Sequence, residues 1–301
     1  MKILITGGGG LLGQYLNIEL SAAYDVFSLY HNNIGNCKEF RSEKADITDY
    51  QQFKKLFIDF LPDVVIHNAA VSNPQMASKM NSKVVYAINV DSTKNIAELC
   101  KNNNAKLIYT STDLVYAGYR GSMLKEDAKL IPISLYAETK LMGEVKIQEI
   151  FDNYLILRVA LLYGFGLNPA YRQAGNAKNN FHEMYDNLKN NKRVKLFYDQ
   201  YRTPISLKEI ARVINQLCVT DIKNEIINTG GKERVSRVEL GEILCEEAGF
   251  DKTLIDKISM NELKDIPMAA DVSMNTEKLQ SYGIKLKSIE ESIKEILHSS
   301  F

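Results

Sequence analysis

A run of four glycines directly after the first apolar segment limits the possible folds of this chain more than any other feature. The segment KILIT, residues 2–6, leads into Gly7, Gly10 and Gly13, which are spaced as GxxGxxG at the start of a helical pattern. Glycine permits a tight turn and a close approach of the backbone to a pyrophosphate, and the first amides of a helix bind anions. This order of strand, glycine loop and helix predicts a dinucleotide-binding turn.

Short strand-like runs alternate with amphipathic helical stretches through the first half of the chain. A helix is predicted from Asp49, because Phe53, Leu56 and Phe60 fall on one face of it. Alternation of this kind is typical of an α/β protein with a Rossmann-type, doubly wound parallel sheet, here over residues 1–160. The predicted strands cover residues 2–6, 25–31, 63–69, 106–111 and 154–160.

The pattern changes after residue 160, where a polar stretch rich in Gly and Asn precedes further short segments. Residues 161–301 are expected to form a smaller, mainly substrate-binding part, with segments about 194–227 returning to the sheet. Residues 164–181 have the length and composition of a mobile lid on the substrate side. Strands are predicted at 194–197 and 225–230, and helices at 206–217, 235–248 and 287–298.

Charge and composition exclude several classes of partner. Lys and Arg total 37, as do Asp and Glu, so no net field exists to hold a nucleic acid or an anionic membrane. No apolar run approaches the roughly 18 residues that a membrane span needs. The four cysteines form no CxxC pair and the four histidines are isolated, so we expect no metal site and a reducing, cytoplasmic location.

The end of the second predicted strand bears on the choice of cofactor. In a dinucleotide-binding sheet, an acidic residue ~20 positions after the glycines binds the ribose hydroxyls of NAD. Here that strand ends YHN without a carboxylate, and His31, Lys38 or Arg41 is available to neutralise a 2′-phosphate. We therefore expect NADPH, with NADH as the alternative. The sequence DITD, residues 46–49, is interpreted as the N-cap of the following helix through an Asp or the Thr, and an Asp there also as a neighbour of the adenine amino group, a role expected of Asp46.

A candidate acid–base set follows the fourth predicted strand. Thr112 lies just beyond that strand, and Tyr136 and Lys140 lie four residues apart on a predicted helix, which places them on one face. An ammonium near a phenol favours the phenolate and lowers the pKa of the tyrosine. The tyrosine would then exchange a proton with a substrate oxygen.

Taken in order along the chain, the motifs resemble the extended short-chain dehydrogenase/reductase family. They are TGGGGLLG, DITD, HNAA, INV, STDLVY and YAETK. Members that dehydrate sugar nucleotides carry a second acid after the catalytic Thr, whereas here Asp113 is followed by Leu114. The later segments LRVALLYG, KNNF and DQYRTPIS look more like dTDP-4-dehydrorhamnose reductases and their sugar-nucleotide reductase relatives.

The resemblance implies a role for individual residues. Thr112, Tyr136 and Lys140 would be catalytic, and Asn89 would support a relay behind Lys140. Met268 stands where these reductases carry an Arg, which leaves the sugar open. Cofactor contacts are expected at Gly7, Gly10, Leu11, Leu12, Gly13, His31, Asp46, Ile47, Asn68, Ala69, Ala70, Asn89, Tyr136 and Lys140. Substrate contacts are expected at Asp113, Val115, Asn180, Arg202 and Pro204.

Three functions follow from this interpretation. The first is an NAD(P)H-dependent reductase of a nucleotide-activated 4-keto-6-deoxysugar, acting as a homodimer. The second is a non-catalytic cofactor-binding subunit that resembles the regulatory partner of methionine adenosyltransferase, which the segment AAVSNP favours. The third is a sugar-nucleotide epimerase, against which the missing ribose-binding acid counts. The intact set of Thr112, Tyr136 and Lys140 favours the reductase.

Overall fold

The computed structural model describes residues 1–118, 122–167, 179–262 and 268–298. Their contacts group the chain into two units. The first unit comprises Met1–Val115, Ser134–Arg158 and Ala211–Ile227. The second comprises Tyr116–Ile133, Val159–Ile210 and Asn228–Phe301. Residues 116–133 therefore group with the second unit, although they precede the residue 160 boundary proposed from the sequence.

The strands of the described residues are mostly short. They are β1 Lys2–Thr6, β2 Asp25–Tyr30, β3 Ser42–Lys44, β4 Val64–His67, β5 Lys106–Thr112, β6 Tyr154–Val159, β7 Leu162–Tyr163, β8 Val194–Phe197, β9 Tyr201–Arg202, β10 Ile205–Ser206, β11 Glu225–Thr229, β12 Val235–Ser236 and β13 Ile255–Ile258.

The helices of the described residues include one with an unusual turn. Residues Ala87–Asp91 form a π-helical turn that joins two α-helical segments. The helices are α1 Leu11–Ser21, α2 Tyr50–Phe60, α3 Pro74–Lys79, α4 Ser82–Tyr86, α5 Ser92–Asn102, α6 Leu135–Ile150, α7 Asn180–Lys189, α8 Leu207–Cys218, α9 Arg237–Ala248, α10 Glu277–Ser281 and α11 Ile289–His298.

Seven strands form the central sheet in the order β11-β6-β5-β4-β1-β2-β3. Strand β1 pairs in parallel with both β2 and β4, so the chain leaves β1 in one direction and returns on its other side. This reversal of strand order is the place where doubly wound sheets bind ligands, beyond the carboxyl ends of the strands. The predicted fold class is confirmed.

Helix α2 has the capped start and the apolar face that the sequence predicts. The Asp49 side chain accepts hydrogen bonds from the amides of Gln51 and Gln52, which caps the helix at the predicted residue. Phe53 and Phe60 are buried in the core cluster that packs on the sheet. An apolar face and a capped start together fix this helix against the strands.

Helix α6 approaches the sheet closely because one of its residues has no side chain. A Cβ atom at Gly143 would collide with the hydroxyl of Tyr109 on β5 and would lie 3.2 Å from the carbonyl oxygen of Asn89 in the π turn. Glycine therefore permits α6 to contact the strand and the π turn at the same level.

The second unit has its own core and its own small sheets. Tyr163, Phe181, Leu244 and Ile293 are among its buried residues. Strand β8 pairs in parallel with β13, so the prediction that residue 194 begins a return to the central sheet is wrong for this strand. A pattern of alternating apolar residues identifies a strand, but it does not identify the partner strand. The later strand β11 does join the central sheet.

The described ranges bear on the expectations about membranes and metal ions. In those ranges no helix is both long and apolar enough to cross a membrane. The same residues contain no group of three or more His, Cys, Asp or Glu side chains placed to hold a metal ion. All four cysteines are free and buried.

Candidate active site

The glycine loop connects β1 to α1 in a conformation that requires glycine. Gly7 has a φ of +72°, and a Cβ atom there would lie 2.8 Å from the amide nitrogen of Ala69. A Cβ atom at Gly13 would collide with the carbonyl of Gly7. Gly10 is the N-cap of α1 and has no side chain to accept from the first-turn amides of Leu11 and Leu12. The loop therefore presents helix amides to an anion, and its backbone fits a pyrophosphate.

A buried network of amide side chains, which sequence reasoning missed, holds this loop from behind. Asn17 is fully buried and donates to the carbonyl of Gly8 at 3.1 Å and to Oδ1 of Asn36 at 2.9 Å. Its own Oδ1 accepts from Ser28 Oγ at 2.7 Å. The segment after β2 is thereby fixed to the glycine loop, with Asn33 also donating to the carbonyl of Gly9 at 2.5 Å.

The expected adenosine side of the site is exposed and carries both signs of charge. His31 Nε2 lies 3.9 Å from a carboxylate oxygen of Asp46, and both side chains are about half exposed. Asp46 also accepts hydrogen bonds from the amide and the hydroxyl of Thr48. Partial burial raises the pKa of the Asp46 carboxyl, but the bonds from Thr48 and the attraction of His31 outweigh that effect and hold the pKa below its ordinary value. A carboxylate is therefore present beside His31, although it comes from the segment after β3.

Arg41 does not stand where the sequence interpretation placed it. Its guanidinium lies over the rings of Phe27 and Phe60, 5.2 and 4.9 Å from their centroids, and pairs with Asp25 at 3.4 Å. Asp25 begins β2, whereas His31 follows the end of that strand. Arg41 therefore lies at the opposite end of β2 from His31. This leaves His31 and Lys38 as the candidates to neutralise a 2′-phosphate.

Residues 68–70 follow β4 and lie against the glycine loop. The amides of Asn68 and Ala69 donate to Thr6 Oγ1 at 3.2 and 3.1 Å, and Asn68 Nδ2 donates to the carbonyl of Gly7 at 3.4 Å. Asn68, Ala69 and Ala70 are half-buried, as is Ile47 after β3. The structure thus brings the predicted cofactor residues together along one edge of the sheet.

A directed chain of hydrogen bonds runs behind this edge. Thr6 Oγ1 accepts from two amides, so its own proton goes to His67 Nδ1 at 2.8 Å. Thr93 Oγ1 donates to the carbonyl of Asn89 at 2.8 Å, so it accepts from His67 Nε2 at 2.9 Å. His67 is therefore neutral and protonated on Nε2. Burial, with help from Lys140, lowers its pKa to about 3.

Asn89 sits in the π turn and ties it to two other elements. Its Oδ1 accepts from the amide of Val71 at 2.8 Å, and its Nδ2 donates to the carbonyl of Val71 and to Thr139 Oγ1. Thr139 in turn donates to the carbonyl of Tyr136 at 3.0 Å. Turns of the π type are frequent at functional sites. Asn89 positions α6 through Thr139, and its expected part in a relay behind Lys140 stays a prediction.

Thr112, Tyr136 and Lys140 come together at the carboxyl end of β5. Thr112 ends that strand, and Tyr136 and Lys140 occupy successive turns of α6, which begins at the cap residue Ser134. All three catalytic candidates are buried, with 9% exposure for Tyr136 and 2% for Lys140. Lys140 Nζ lies 4.0 Å from the centroid of the Tyr109 ring.

The electrostatics of the three groups differ in part from the expectation. Burial raises the pKa of Tyr136 to about 12, although a hydrogen bond with Thr112 opposes the rise. Burial lowers the pKa of Lys140 to about 7, while the carboxylate of Glu144 opposes that fall. The expected lowering of the tyrosine pKa by Lys140 is wrong for the free protein, in which burial and the nearby Asp113 carboxylate raise that pKa. The phenol is therefore protonated at neutral pH, as a proton donor must be.

Further buried groups below Lys140 were missed by sequence reasoning. Glu144 accepts from Ser111 Oγ and from Arg158, whose terminal nitrogen lies 2.8 Å from Oε2. Glu144 and Arg158 are 1% and 2% exposed. A carboxylate four residues after Lys140 was the available signal, since helical residues four apart share a face.

The expected substrate residues fall into both units. In the first, Asp113 and Val115 are buried in a 3₁₀ turn directly after Thr112. In the second, Asn180 is exposed at the start of α7 and Pro204 is buried. Arg202 is buried and donates to the carbonyls of Tyr201 and Ala269 at 2.6 and 3.0 Å. Its substrate role stays a prediction, and residues 168–178 of the expected lid lie outside the described residues.

Known proteins resemble this chain over nearly its whole length. It is 26% identical to dTDP-4-dehydrorhamnose reductase of Aggregatibacter actinomycetemcomitans, covering 98% of each chain. It is also 26% identical to methionine adenosyltransferase 2 subunit beta of Xenopus laevis, covering 94% of this chain and 83% of that protein. The crystal structure of dTDP-4-dehydrorhamnose reductase from Bacillus anthracis in complex with NADP superimposes with a TM-score of 0.84 at 24% identity, covering 99% of both chains.

One family model matches nearly the whole chain. The family described as RmlD substrate binding domain matches residues 1–300. The resemblance to dTDP-4-dehydrorhamnose reductases that the motifs predict is thereby confirmed. A glycine loop, the buried set of Thr112, Tyr136 and Lys140, and a whole-chain match support one conclusion: this chain belongs to the RmlD substrate binding domain family.

Proposed function

We propose that the chain is an NAD(P)H-dependent reductase that acts on the 4-keto group of a nucleotide-activated 6-deoxysugar, and so forms a CH–OH group. The observation that carries the proposal is the buried set of Thr112, Tyr136 and Lys140 beside a glycine loop built for a pyrophosphate. Relatives that cover the chain end to end bear the name of such a reductase.

The residues of the chain divide the chemistry among them. Tyr136, protonated at neutral pH because burial raises its pKa to about 12, gives its proton to the oxygen of the reduced carbonyl. Thr112 orients that oxygen, and Lys140 binds the nicotinamide ribose. Burial of these groups excludes water from the proton transfer. The bound cofactor supplies the hydride.

The glycine loop, the residues after β4 and Asp46 fit a dinucleotide. We assign the pyrophosphate to Gly7, Gly10, Leu11, Leu12 and Gly13, and the adenosine to His31, Asp46 and Ile47. Asn68, Ala69 and Ala70, which follow β4 and lie against the glycine loop, are assigned further contacts with the cofactor. NADPH is the expected cofactor because His31 follows β2 and the solved relative from Bacillus anthracis holds NADP. NADH is the alternative, favoured by the carboxylate of Asp46 beside His31.

For the substrate we propose contacts from Asp113, Val115, Asn180, Arg202 and Pro204. A homodimer and a cytoplasmic location complete the proposal, the latter supported by four free cysteines.

A second function has support from a specific similarity. Methionine adenosyltransferase 2 subunit beta is 26% identical over 292 residues, so a non-catalytic regulatory subunit is the alternative. An epimerase is the third reading, and it requires tightly held NAD. Purified protein without bound NAD would exclude it.

A panel assay separates these functions. Oxidation of NADPH and NADH is followed by absorbance with dTDP-, GDP-, UDP- and CDP-4-keto-6-deoxysugars. Turnover of one member, lost in the variant Tyr136→Phe, is the expected result. Binding of NADPH without turnover of any sugar nucleotide would favour the regulatory subunit.

A further inference from the structure

A buried imidazole lies directly before the segment that is expected to contact the cofactor. His67 ends β4 and is fully buried, and residues 68–70 follow it against the glycine loop. The proposed chemistry does not use this side chain. Both of its ring nitrogens are nevertheless engaged, one with Thr6 at the end of β1 and the other with Thr93 on α5.

The hydroxyl of Thr6 depends on His67 as an acceptor. A hydroxyl group has one proton to donate and two lone pairs that accept. The lone pairs of Thr6 Oγ1 accept from the amides of Asn68 and Ala69, at 3.2 and 3.1 Å. The proton goes to His67 Nδ1 at 2.8 Å. Thr6 can therefore hold both amides at once because Nδ1 of the imidazole carries no proton.

These bonds orient the backbone that lies against the glycine loop. A Cβ atom at Gly7 would lie 2.8 Å from the amide nitrogen of Ala69, so the two stretches of backbone are in close contact. The Ala69 amide is turned towards Thr6 at this contact. A rotation of that amide would move residues 68–70 relative to the loop that is expected to bind the pyrophosphate.

The same segment is attached to the π turn at both of its ends. Beyond residues 68–70, the amide and the carbonyl of Val71 bond to the Asn89 side chain at 2.8 and 3.3 Å. Before them, His67 Nε2 donates to Thr93 Oγ1 at 2.9 Å, and Thr93 donates to the carbonyl of Asn89. The attachment at His67 also reaches β1, so it connects the segment to the strand that leads into the glycine loop.

We propose that His67 is a positioning residue for the dinucleotide: with its proton on Nε2, it accepts from Thr6 and so holds residues 68–70 in the orientation that receives the cofactor. His67 acts through Thr6 and touches no reacting atom. The role rests on the proposed function, but its test needs only the binding of NADPH and no sugar nucleotide.

A purely structural imidazole predicts a different result. Its packing on Tyr109, with ring centroids 5.5 Å apart, and its two hydrogen bonds would then contribute to folding alone. Loss of either bond would lower stability by a similar amount and would have the same effect on the affinity for NADPH. The two bonds must therefore be removed one at a time.

Two substitutions separate the bonds. His67→Asn places an amide oxygen near the former Nδ1, so it keeps the acceptor for Thr6 and loses the bond to Thr93. His67→Gln places an amide nitrogen near the former Nε2, so it keeps the donor to Thr93 and loses the acceptor for Thr6. In calorimetric titrations at neutral pH, we expect the Kd for NADPH to rise about tenfold in His67→Gln and to stay within about threefold of the wild type in His67→Asn.

Thermal unfolding without cofactor is the matched control. Each variant keeps one of the two bonds, so the Tm values should fall by similar amounts while the Kd values differ. Equal Kd values for the two variants overturn the proposal, as does a higher Kd for His67→Asn. If His67→Gln does not fold, Thr6→Val, which lacks the hydroxyl, should show the rise in Kd, and Thr6→Ser, which keeps it, should not.

The position of the imidazole proton is measured on the wild-type protein. With ¹⁵N-labelled histidine, long-range ¹H–¹⁵N correlation spectra distinguish a protonated ring nitrogen from an unprotonated one, and the His67 signals are those lost in His67→Asn. The proton should be on Nε2, both in the free protein and with NADPH bound. A proton on Nδ1 overturns the proposal, because this ring would then offer Thr6 no acceptor.

The outcomes separate this role from the proposed function. A wild-type protein that binds neither NADPH nor NADH contradicts the proposed function, and the role of His67 is then wrong with it. Tight binding of NADPH by the wild type, together with equal affinities in the two His67 variants, contradicts the role of His67 alone and leaves the proposed function in place.

Discussion

At the scale of single residues, Tyr136 offers the most direct test of the proposed chemistry. The change Tyr136→Phe keeps the ring that packs near Val71 and Val85 and removes only the O–H group. We expect kcat to fall by ~10²–10⁴-fold, the usual contribution of a positioned general acid, with NADPH affinity and Tm unchanged. Steady-state assays at saturating substrate and calorimetric titration measure the two effects.

The control is Lys140→Met, which should weaken both catalysis and cofactor binding because Lys140 is expected to serve both. A Tyr136→Phe enzyme that kept more than about a tenth of wild-type kcat, less than the expected loss, would assign proton donation to another group.

Cofactor preference also belongs to a single position. Replacement of His31 by Glu places a second carboxylate next to Asp46, where a 2′-phosphate would be repelled and a ribose hydroxyl would be bound. We expect the Kd for NADPH to rise by roughly tenfold or more relative to the Kd for NADH. Titration of each cofactor into the wild type and the variant measures the ratio.

The matched change Arg41→Gln should leave that ratio unaltered, since Arg41 pairs with Asp25 at the other end of β2. A tenfold preference of the wild type for NADH would show that Asp46, rather than His31, decides the choice of cofactor.

At the scale of elements, the π turn should control the position of α6. The variant Asn89→Ala leaves the buried amide and carbonyl of Val71 without their side-chain partner. We expect the free energy of unfolding to fall by about 1–3 kcal/mol, measured in urea, together with a loss of kcat. Asn81→Ala is the control. Asn81 is the exposed N-cap of α4, the helix that leads into the π turn, and its side chain accepts a hydrogen bond from the amide of Lys83.

The control should cost about 1 kcal/mol of stability without a change in kcat. Equal effects of both variants on kcat would remove the special role of the π turn.

The elements differ in how far the sequence predicts them. KILIT and VKLF coincide with β1 and β8, and Asp49 caps α2 as expected, because periodicity and capping are local properties. The π turn at Asn89 and the pairing of β8 with β13 depend on distant residues, so no local pattern indicates them. The same holds for the site: spacing predicted Tyr136 and Lys140, whereas the bonds of Asn17, His67 and Glu144 join segments far apart in the chain.

At the scale of the whole molecule, His67 makes stability depend on pH. Its pKa is about 3 in the folded protein and near the ordinary 6.5 when unfolded, so the unfolded chain binds the extra proton between these values. The contribution of His67 to stability is therefore complete above pH 6.5 and declines as the pH falls. Between pH 6.5 and 5 the loss is up to about 2 kcal/mol, at about 1.36 kcal/mol per unit.

Urea unfolding of the wild type and His67→Asn across this range provides the measurement, with the variant expected to have the shallower slope. Lys140, with a pKa of about 7 against an ordinary 10.5, acts on stability above pH 7 and does not interfere. Parallel slopes for the two proteins would contradict the neutral state assigned to His67.

The missing side chain of Gly143 has a consequence for how the enzyme can change. A methyl group at this position would contact Tyr109 and the backbone at Asn89. The distance between α6 and the sheet is therefore limited by steric contact at Gly143. Substitutions elsewhere on α6 can alter its stability while Tyr136 and Lys140 keep their level. Any residue larger than glycine at position 143 would instead push α6, and with it Tyr136 and Lys140, away from Tyr109 on the sheet.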